Sequence, residues 1–520
     1  MPVSLPAGIL ALQGVASTSA PIVLMEWQLP SPQYYSSGKA VTWNGHTWEG
    51  NRLKDFPSFA LGMFDRKGKE FPKLQITLSN LANDGSSNFP MQALDAAHLL
   101  EGFPVKIYFY SPEANDAFLR WTGTSGRPSY HGEDKSVTLS CTFIFDSLNI
   151  PFPFRTAMDL GFSTLDTNQN KSTTEENLIP LIWGEGPDLG VRPTITRAWT
   201  EAGLLLGNFI LSGCNNGLPF DADPVSDANF NGVTEALTIE MGGLGSAGQA
   251  AQANLTRFPD GEAHPRVAYG YFAFPLPESL KDSLDGLDPN SIKLLLTNGR
   301  KLKATTLPSE NHVLIIKDML TDTYFGIGLA EADFDAAVVT EAANYVGTRY
   351  RARVELHESQ PLMDLLQKLL ADCHCYITFA DKIQIRAKRN DETAVATFAT
   401  HDSGVGGRKI VNDFIEDLTE EDSSSRINDV MLSYRKHSRH HAHPIHAYDP
   451  NSQPLTLGTA NTPAREEIES LSLQYEDEAS ISAAILIREE TQLNAPVRFS
   501  VPFWDGLAAD DGTALTAGRV

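Results

Sequence analysis

The stretch Phe71-Pro-Lys-Leu-Gln-Ile-Thr-Leu-Ser-Asn80 decides how the N-terminal part of the chain folds. Its apolar residues Leu74, Ile76 and Leu78 alternate with polar ones, and a period of two places them on one face of a β-strand. Three other stretches carry short strand patterns: Val41-Thr-Trp-Asn-Gly-His-Thr-Trp48, Glu101-Gly-Phe-Pro-Val-Lys-Ile-Tyr-Phe-Tyr110 and Val137-Thr-Leu-Ser-Cys-Thr-Phe-Ile-Phe145. Several strands this close together predict a sheet rather than isolated hairpins.

The pair Asn44-Gly45 inside the first of these stretches predicts a tight hairpin, because a type I′ turn needs positive φ at both central residues. The strands together predict one antiparallel barrel or sandwich over residues 22–150, with the rest of the chain appended to it. The expected fold class is mainly β, with α+β character overall.

The composition is that of a globular protein of several domains. The chain has 520 residues, of which 42% are hydrophobic and 20% charged. It carries 41 Lys and Arg against 65 Asp and Glu, a net charge of −24. This excess of acid argues against a nucleic-acid-binding surface and favours a role in solubility. It does not exclude DNA sliding through a hole in an assembly.

Cysteine is scarce, with Cys141, Cys214, Cys373 and Cys375 only, so no disulfide framework is expected. No apolar run approaches the ~20 residues that span a bilayer. The apolar start of the chain has no preceding Lys or Arg, and a signal peptide is not expected.

Three sequence features invite a metal-site hypothesis. Asp227, Asn229 and Asn231 alternate before Gly232 like the start of a calcium loop, but Thr238 stands where the bidentate Glu belongs. Asx turns explain the same residues, so these three are candidates only and no metal is expected.

The triplet Cys373-His374-Cys375 lacks a second pair of ligands, which favours a structural role at a helix–strand junction. Histidines also crowd one short stretch, at His437, His440, His441, His443 and His446. Interspersed Arg and Lys and the helix-breaking Pro444 favour a solvated hairpin tip there.

No catalytic motif is present: no nucleophile elbow, zinc-binding helix or phosphate-binding loop occurs. The sequence therefore predicts no catalytic residue, no cofactor and no enzyme. Acidic pairs such as Glu420-Glu421 and Asp510-Asp511 are typical of solvated surface. A cell-wall or polysaccharide hydrolase stays open as an alternative, since two carboxylates can meet in a cleft. A carbohydrate-binding receptor module is a third class, suggested by scattered Trp and Tyr.

Further along the chain, strand patterns cover residues 267–274, 292–297 and 313–316, and an alanine-rich helix is predicted for 331–344. The clearest local prediction is a helix opened by Pro361, whose Leu362, Leu365, Leu366, Leu369 and Leu370 form one apolar stripe. A hairpin over residues 375–388 follows. Nearer the end, Ser424–Tyr434 predicts a strand, and Ala479–Arg488 a helix with Ile481, Ala484 and Ile485 on its apolar stripe.

The order of these features resembles the tail-tip hub proteins of long-tailed bacteriophages. The resemblance begins with Val23–Glu26, the hairpin at 41–48, the strand at 72–80 and Glu101-Gly102. It continues in the strands Ile179–Gly184 and Leu204–Gly213, the helix-plus-hairpin unit, the strand near Tyr434 and the last helix. It touches roughly two thirds of the chain.

The resemblance implies a tail-tube-like barrel followed by small α+β hub domains. The expected divisions are an arm (1–21), the barrel domain (22–165), a second β-rich domain (166–345), a helix-plus-hairpin domain (346–410) and a C-terminal α+β domain (411–520). Whether the last domain continues beyond residue 520 is left open.

The resemblance also implies a structural role at the tip of a virion's tail, in a particle assembled in the host cytoplasm. The expected assembly is a homo-oligomer, a trimer around the tail axis. The partners would be the distal tail protein ring, the C-terminus of the tape-measure protein and tail fibre or central spike components. Genomic DNA would pass through the lumen without specific binding, and the tip would approach the host envelope transiently. Residues expected to serve packing first and assembly second are Trp43, Trp48, Leu74, Ile76 and Leu78.

Overall fold

The computed structural model describes most of the N-terminal sheet and of the C-terminal half. The described residues are 21–54, 63–66, 74–81, 90–131, 135–143, 148, 150–156, 159, 178–184, 186–191, 194–201, 204–213, 238–241, 252–255, 267–275, 292–296, 302, 310–379, 382–389, 398–399, 408–409, 417–418, 427–435, 442–449, 465–491 and 497–498. They are mainly β with a smaller helical part, as predicted. No helix in these ranges is long and apolar enough to cross a membrane.

The N-terminal part is built around one curled antiparallel sheet. Its elements are β1 (Ile22–Trp27), β2 (Gln33–Ser36), β3 (Val41–Trp43), β4 (His46–Trp48), β5 (Met63–Phe64), β6 (Leu74–Ser79), α1 (Pro90–His98), β7 (Pro104–Ser111), β8 (Asp116–His131), β9 (Ser136–Phe143) and β10 (Pro151–Phe152). Six strands pair in the order β2-β1-β7-β8-β9-β6. The predicted antiparallel architecture is therefore confirmed.

The local predictions for this sheet hold. Leu74, Ile76 and Leu78 are each at most 4% exposed and face the core, while the residues between them do not. Asn44 and Gly45 both have positive φ, at 50° and 75°, as the predicted turn requires. The apolar period of two therefore determined which face is buried.

A short segment, residues 49–54, bridges the two edges of the curled sheet. On one side the Ser36 amide of β2 donates to the Glu49 carbonyl oxygen at 2.9 Å. On the other side the Lys54 amide donates to the Thr77 carbonyl oxygen of β6 at 2.9 Å. In the sequence, Pro72 and Pro104 are the only signs of edge protection. The structure adds residues 49–54, which pair with part of each edge strand within the chain itself.

The middle of the chain forms two further antiparallel sheets. Its strands are β11 (Leu181–Trp183), β12 (Gly186–Val191), β13 (Thr194–Glu201), β14 (Leu204–Gly213), β15 (Thr238–Met241), β16 (Gln252–Leu255), β17 (Val267–Pro275) and β18 (Ile292–Leu296). One sheet has the order β13-β14-β17-β16 and the other β12-β18-β15. The predicted strands at 204–213, 267–274 and 292–297 are thus confirmed.

The C-terminal half mixes helices with small sheets. Its elements are α2 (His312–Thr321), a 3-10 turn (Glu331–Asp333), α3 (Ala336–Gly347), β19 (Val354–Leu356), β20 (Gln360–Pro361), α4 (Leu362–Asp372), β21 (Cys375–Phe379), β22 (Ile383–Ala387), β23 (Phe398–Ala399), β24 (Arg408–Lys409), β25 (Asp417–Leu418), β26 (Asp429–Arg435), β27 (Ala442–Tyr448), β28 (Arg465–Glu469), α5 (Glu476–Thr491) and β29 (Val497–Arg498). In the sheet β27-β26-β28, strands β26 and β28 run parallel.

The leucine stripe of α4 is buried as predicted, with all five leucines at 0% exposure. Two other local predictions are wrong. The apolar run at 313–316 is part of helix α2, because the Asn311 side chain caps the amides of Val313 and Leu314 and starts a helix there. In α5, Ile481 is 48% exposed, while the buried face contains Ala479 and Ala483.

Candidate functional site

The N-terminal sheet and the C-terminal half are joined by an interlock, which we define as residues 63–66 and the groups that bind them. Strand β5 adds to the edge of the β21–β22 hairpin, with Phe64 opposite Ile377 and Met63 opposite Thr378. The Gln367 side chain of α4 donates to the Asp65 carbonyl oxygen at 3.0 Å. Residues 63–66, which connect strands of the N-terminal part, therefore pack into a unit that lies about 300 residues later in the sequence.

Charged groups hold the same interlock. The Arg66 guanidinium donates to Glu466 at 2.8 Å and also to Glu490, and its side chain is only 12% exposed. Burial by itself lowers the pKa of Arg66, but the hydrogen bond to Glu466 and the charges of Glu466, Glu490 and Glu489 outweigh it and raise the pKa. The Arg66 and Glu490 side chains are 12% and 9% exposed, so removing Arg66 should cost more than breaking a surface ion pair.

Lysine 388 extends this charged contact. The Lys388 ammonium lies 3.2 Å from Asp65 and 3.5 Å from Glu489. A second backbone junction lies nearby, where the Leu362 amide at the start of α4 donates to the Ile150 carbonyl oxygen at 2.9 Å. The hairpin edge and the helix start of the helix-plus-hairpin unit therefore both bind the N-terminal part.

A buried polar cluster brings together Asp372, Ser472 and His312, which are the residue types of a hydrolase triad. The Ser472 hydroxyl oxygen lies 2.6 Å from Asp372 Oδ2 and 2.7 Å from His312 Nε2. Asp372 Oδ2 also accepts the backbone amides of Ser472 and Leu471, at 2.9 and 3.1 Å. None of the three side chains is more than 3% exposed.

The direction of these hydrogen bonds does not suit nucleophilic catalysis. The serine hydroxyl has one proton and gives it to Asp372, so His312 Nε2 must donate to the serine oxygen. A catalytic histidine has to accept that proton instead. Burial lowers the pKa of His312 to about 3 and raises the pKa of Asp372 to about 6. The cluster is therefore best explained as a clasp that ties α2, α4 and the segment before α5 together.

The outer face of the first sheet carries an aromatic cluster formed by Tyr34, Trp43, Trp48 and Tyr108. Trp43 and Tyr108 lie 5.4 Å apart between ring centroids, and Trp48 and Tyr108 lie 5.8 Å apart, both edge-on. The Tyr108 hydroxyl donates to Glu26 at 2.7 Å. These rings fasten the β3–β4 hairpin onto the sheet. Trp48 is buried, so of the two tryptophans predicted for assembly only Trp43 keeps part of its surface free.

Cys373, His374 and Cys375 lie at the junction of α4 and β21 and are at most 5% exposed. Burial raises the pKa of the Cys373 thiol and lowers the pKa of His374 to about 3. The His374 ring contacts Ser482 through Nε2 at 3.0 Å. Within the described ranges no three His, Cys, Asp or Glu side chains are grouped to hold a metal ion.

The predicted histidine-rich tip lies partly in strand β27, where His443 and His446 flank Pro444. Pro444 is compatible with this strand because β27 is at the edge of its sheet. Other predicted residues lie outside the described part of the chain: the calcium-loop candidates Asp227, Asn229 and Asn231, the histidines at 437, 440 and 441, and the acidic pairs at 420–421 and 510–511.

Sequence reasoning missed Arg66, Asp372 and Ser472. Each is one polar residue in an ordinary context, and its partner lies between 99 and 424 positions away. No local pattern identifies such residues.

No family model and no curated protein matches this chain. Among solved structures it is similar to a chain in a structure entitled "Virion of native gene transfer agent (GTA) particle". The sequence identity is 13% and the TM-score 0.21, and the match covers 53% of this chain and 86% of that chain.

Proposed function

We propose that this chain is a structural hub of a phage tail tip. The observation that carries the proposal is the interlock. It joins a curled antiparallel sheet near the N-terminus to helices and hairpins hundreds of residues later through strand addition and buried ion pairs. A protein that transmits load between a tube and the parts below it benefits from such fixed junctions. The order of motifs along the chain, which resembles tail-tip hubs, supports the same role.

In this proposal three copies surround the tail axis. The curled sheet meets the distal tail ring, and the later domains narrow the lumen around the end of the tape-measure protein and hold fibre or spike components. The acid excess of the chain would keep DNA moving through the lumen without binding it. Since residues 49–54 already cover the edges of the sheet, the contact between copies would use side chains on the outer face, Trp43 among them.

The feature that could support the enzymatic alternative is the Asp372–Ser472–His312 cluster. Its side chains are buried, and the Ser472 hydroxyl donates to Asp372 instead of to His312, which disfavours hydrolysis. The carbohydrate-binding alternative would have to use the aromatic cluster around Trp43. Those rings contact one another, which favours a packing role over a sugar platform.

The decisive experiment is cryo-electron microscopy of the assembled particle, with the chain carrying a small tag on its surface. We expect tag density at the distal end of the tail in three symmetric copies. Light scattering of the purified chain at rising concentration gives an independent measure of trimer formation. Single copies on the outside of the tail, away from the axis, would overturn the hub proposal and favour a receptor-binding module or an enzyme.

A further inference from the structure

A lysine and two carboxyl groups from three distant parts of the chain meet in the interlock. Asp65 directly follows strand β5, Lys388 directly follows strand β22, and Glu489 lies near the end of helix α5. The Lys388 Nζ atom lies 3.2 Å from Asp65 Oδ2 and 3.5 Å from Glu489 Oε2. One amine is therefore in contact with two carboxyl groups at once.

The backbone on both sides of the amine–carboxyl contact is held in place. The Asp65 carbonyl oxygen accepts from the Gln367 side chain at 3.0 Å. The Lys388 amide donates to the His374 carbonyl oxygen at 2.8 Å. Two groups that the fold keeps in contact react with each other far more readily than the same groups free in solution, because the entropy of bringing them together is already lost.

The two carboxyl groups differ in their surroundings. The Asp65 side chain is 7% exposed, against 23% for Glu489 and 30% for Lys388. Enclosure suits the carboxyl group that is attacked, because it keeps bulk water away from the reacting carbon. Glu489 reaches the amine through Oε2, while its Oε1 lies 3.9 Å from His374 Nδ1. Glu489 is therefore placed beside the reacting pair, where it can accept and return a proton.

We propose that Lys388 and Asp65 form an intramolecular isopeptide bond, with Glu489 as the acid–base group. The Lys388 ammonium first passes a proton to the Asp65 carboxylate, which gives a neutral amine and a carboxylic acid. The amine nitrogen then attacks the Asp65 carboxyl carbon, and Glu489 accepts the proton that the nitrogen loses. Glu489 returns this proton to the departing hydroxyl group, which leaves as water.

The reaction balances without any further reagent. One amine and one carboxylic acid give one amide and one water, so neither an oxidant nor an activated co-reactant is needed. The product joins the N-terminal part covalently to the C-terminal half and closes a loop of about 320 residues, and a cross-link over a long loop restricts the unfolded chain strongly. This inference is independent of the tail-tip proposal.

A second lysine ion pair offers a comparison within the same chain. Lys317 pairs with Glu331, whose side chain is 51% exposed. Among the residues that the structure describes, no second carboxylate lies within ion-pair distance of Lys317. This pair lacks both the enclosed carboxyl group and the neighbouring acid–base group, so it is expected to remain an ion pair.

The test is intact mass spectrometry of the full chain, purified in its folded form, incubated at neutral pH and then denatured. We expect a mass that is lower than the calculated one by one water, and two proteolytic peptides joined through Asp65 and Lys388. Lys388→Arg keeps the positive charge but cannot form this bond, so its mass should equal the calculated value. Glu489→Gln should slow bond formation by at least about tenfold, because it removes the proton acceptor.

Four outcomes would overturn the proposal. The first is the full calculated mass in a wild-type preparation that shows a cooperative urea transition and is therefore folded. The second is a loss of water that persists in Lys388→Arg, and the third is one that maps to Lys317 and Glu331. The fourth is a cross-link from Lys388 to Glu489 instead of Asp65. If Glu489→Gln does not fold, the wild-type mass and the joined peptides decide by themselves.

Discussion

Arg66 and Glu466 are 400 positions apart in the sequence, and their side chains meet in a 2.8 Å ion pair. Arg66 also binds Glu490, so one guanidinium joins the connection after β5 to strand β28 and helix α5. The two ion pairs therefore hold the N-terminal part against the C-terminal half across 400 and 424 positions of sequence.

Arg66→Met should destabilise the chain by about 3 kcal/mol, because it removes the cation that pairs with Glu490, which is 9% exposed, and with Glu466, which is 31% exposed. The measurement is the urea midpoint followed by tryptophan fluorescence. Lys317→Met is the matched control. Lys317 pairs with Glu331, whose side chain is 51% exposed, and an exposed pair contributes at most about 1 kcal/mol. Similar losses in the two variants would contradict the structural role of the interlock.

Asp372 should give the stability an unusual pH dependence. Burial raises its folded pKa to about 6 from an ordinary value of 3.8, so the folded state holds the proton more tightly. Its contribution to stability is fully present below pH 3.8 and is lost as the pH rises through about 6. Burial lowers the folded pKa values of His312 and His374 from 6.5 to about 3, so the folded state favours their neutral forms. Their contribution to stability is present above pH 6.5 and is lost as the pH falls towards 3.

The Asp372 contribution is isolated by comparing the wild type with Asp372→Asn in urea titrations between pH 4 and pH 7. We expect the wild type to lose stability relative to the variant as the pH rises across this window. A difference between the two proteins that does not change with pH would show that Asp372 titrates normally.

Ser472 should not react as a catalytic nucleophile. It is 1% exposed, and its hydroxyl donates a hydrogen bond to Asp372 Oδ2. A fluorophosphonate probe is expected to leave native protein unlabelled at this residue, and the purified chain should clear neither peptidoglycan nor capsular polysaccharide in a zymogram. Labelling of Ser472 in the folded chain, or clearing that disappears in Ser472→Ala, would support the hydrolase alternative.

Gly184 should be irreplaceable by alanine. It has φ of +86°, and an added Cβ would collide with the carbonyl oxygen of Ala352. We expect Gly184→Ala to lower the free energy of unfolding by more than about 3 kcal/mol, because alanine is strained at this positive φ and its Cβ also clashes with the backbone. Gly45→Ala is the control: its φ is +75°, but nothing lies within 4 Å, so only about 1 kcal/mol of strain is expected. Melting temperatures of the two variants measure the difference, and equal shifts would count against the clash.

Calcium should have no effect on stability. Thr238 stands where a calcium loop needs its bidentate ligand, so the Asp227 loop is predicted not to bind the ion. Melting curves of the wild type and Asp227→Ala, with and without millimolar calcium, check this. A rise in melting temperature with calcium that is lost in the variant would show that the loop is a calcium site.

The sequence by itself determined the elements whose information is local. Alternation defined the buried face of β6, Asn44-Gly45 defined the hairpin, and the leucine stripe defined α4, because each pattern has the period of its own secondary structure. Where two local signals competed, the sequence pattern predicted the wrong element or the wrong face. The apolar run of α2 has no strict period, and the cap at Asn311 made it a helix. In α5 small residues such as Ala479 and Ala483 are buried, while the larger Ile481 points to solvent.

Only the tertiary structure decided how the elements are joined. The closing segment 49–54, the addition of β5 to a distant hairpin and the clasp at Ser472 all depend on hydrogen-bonding groups that find partners far away in sequence. A buried polar group that lacks a hydrogen bond destabilises the fold, but the local sequence does not show which distant group will be its partner.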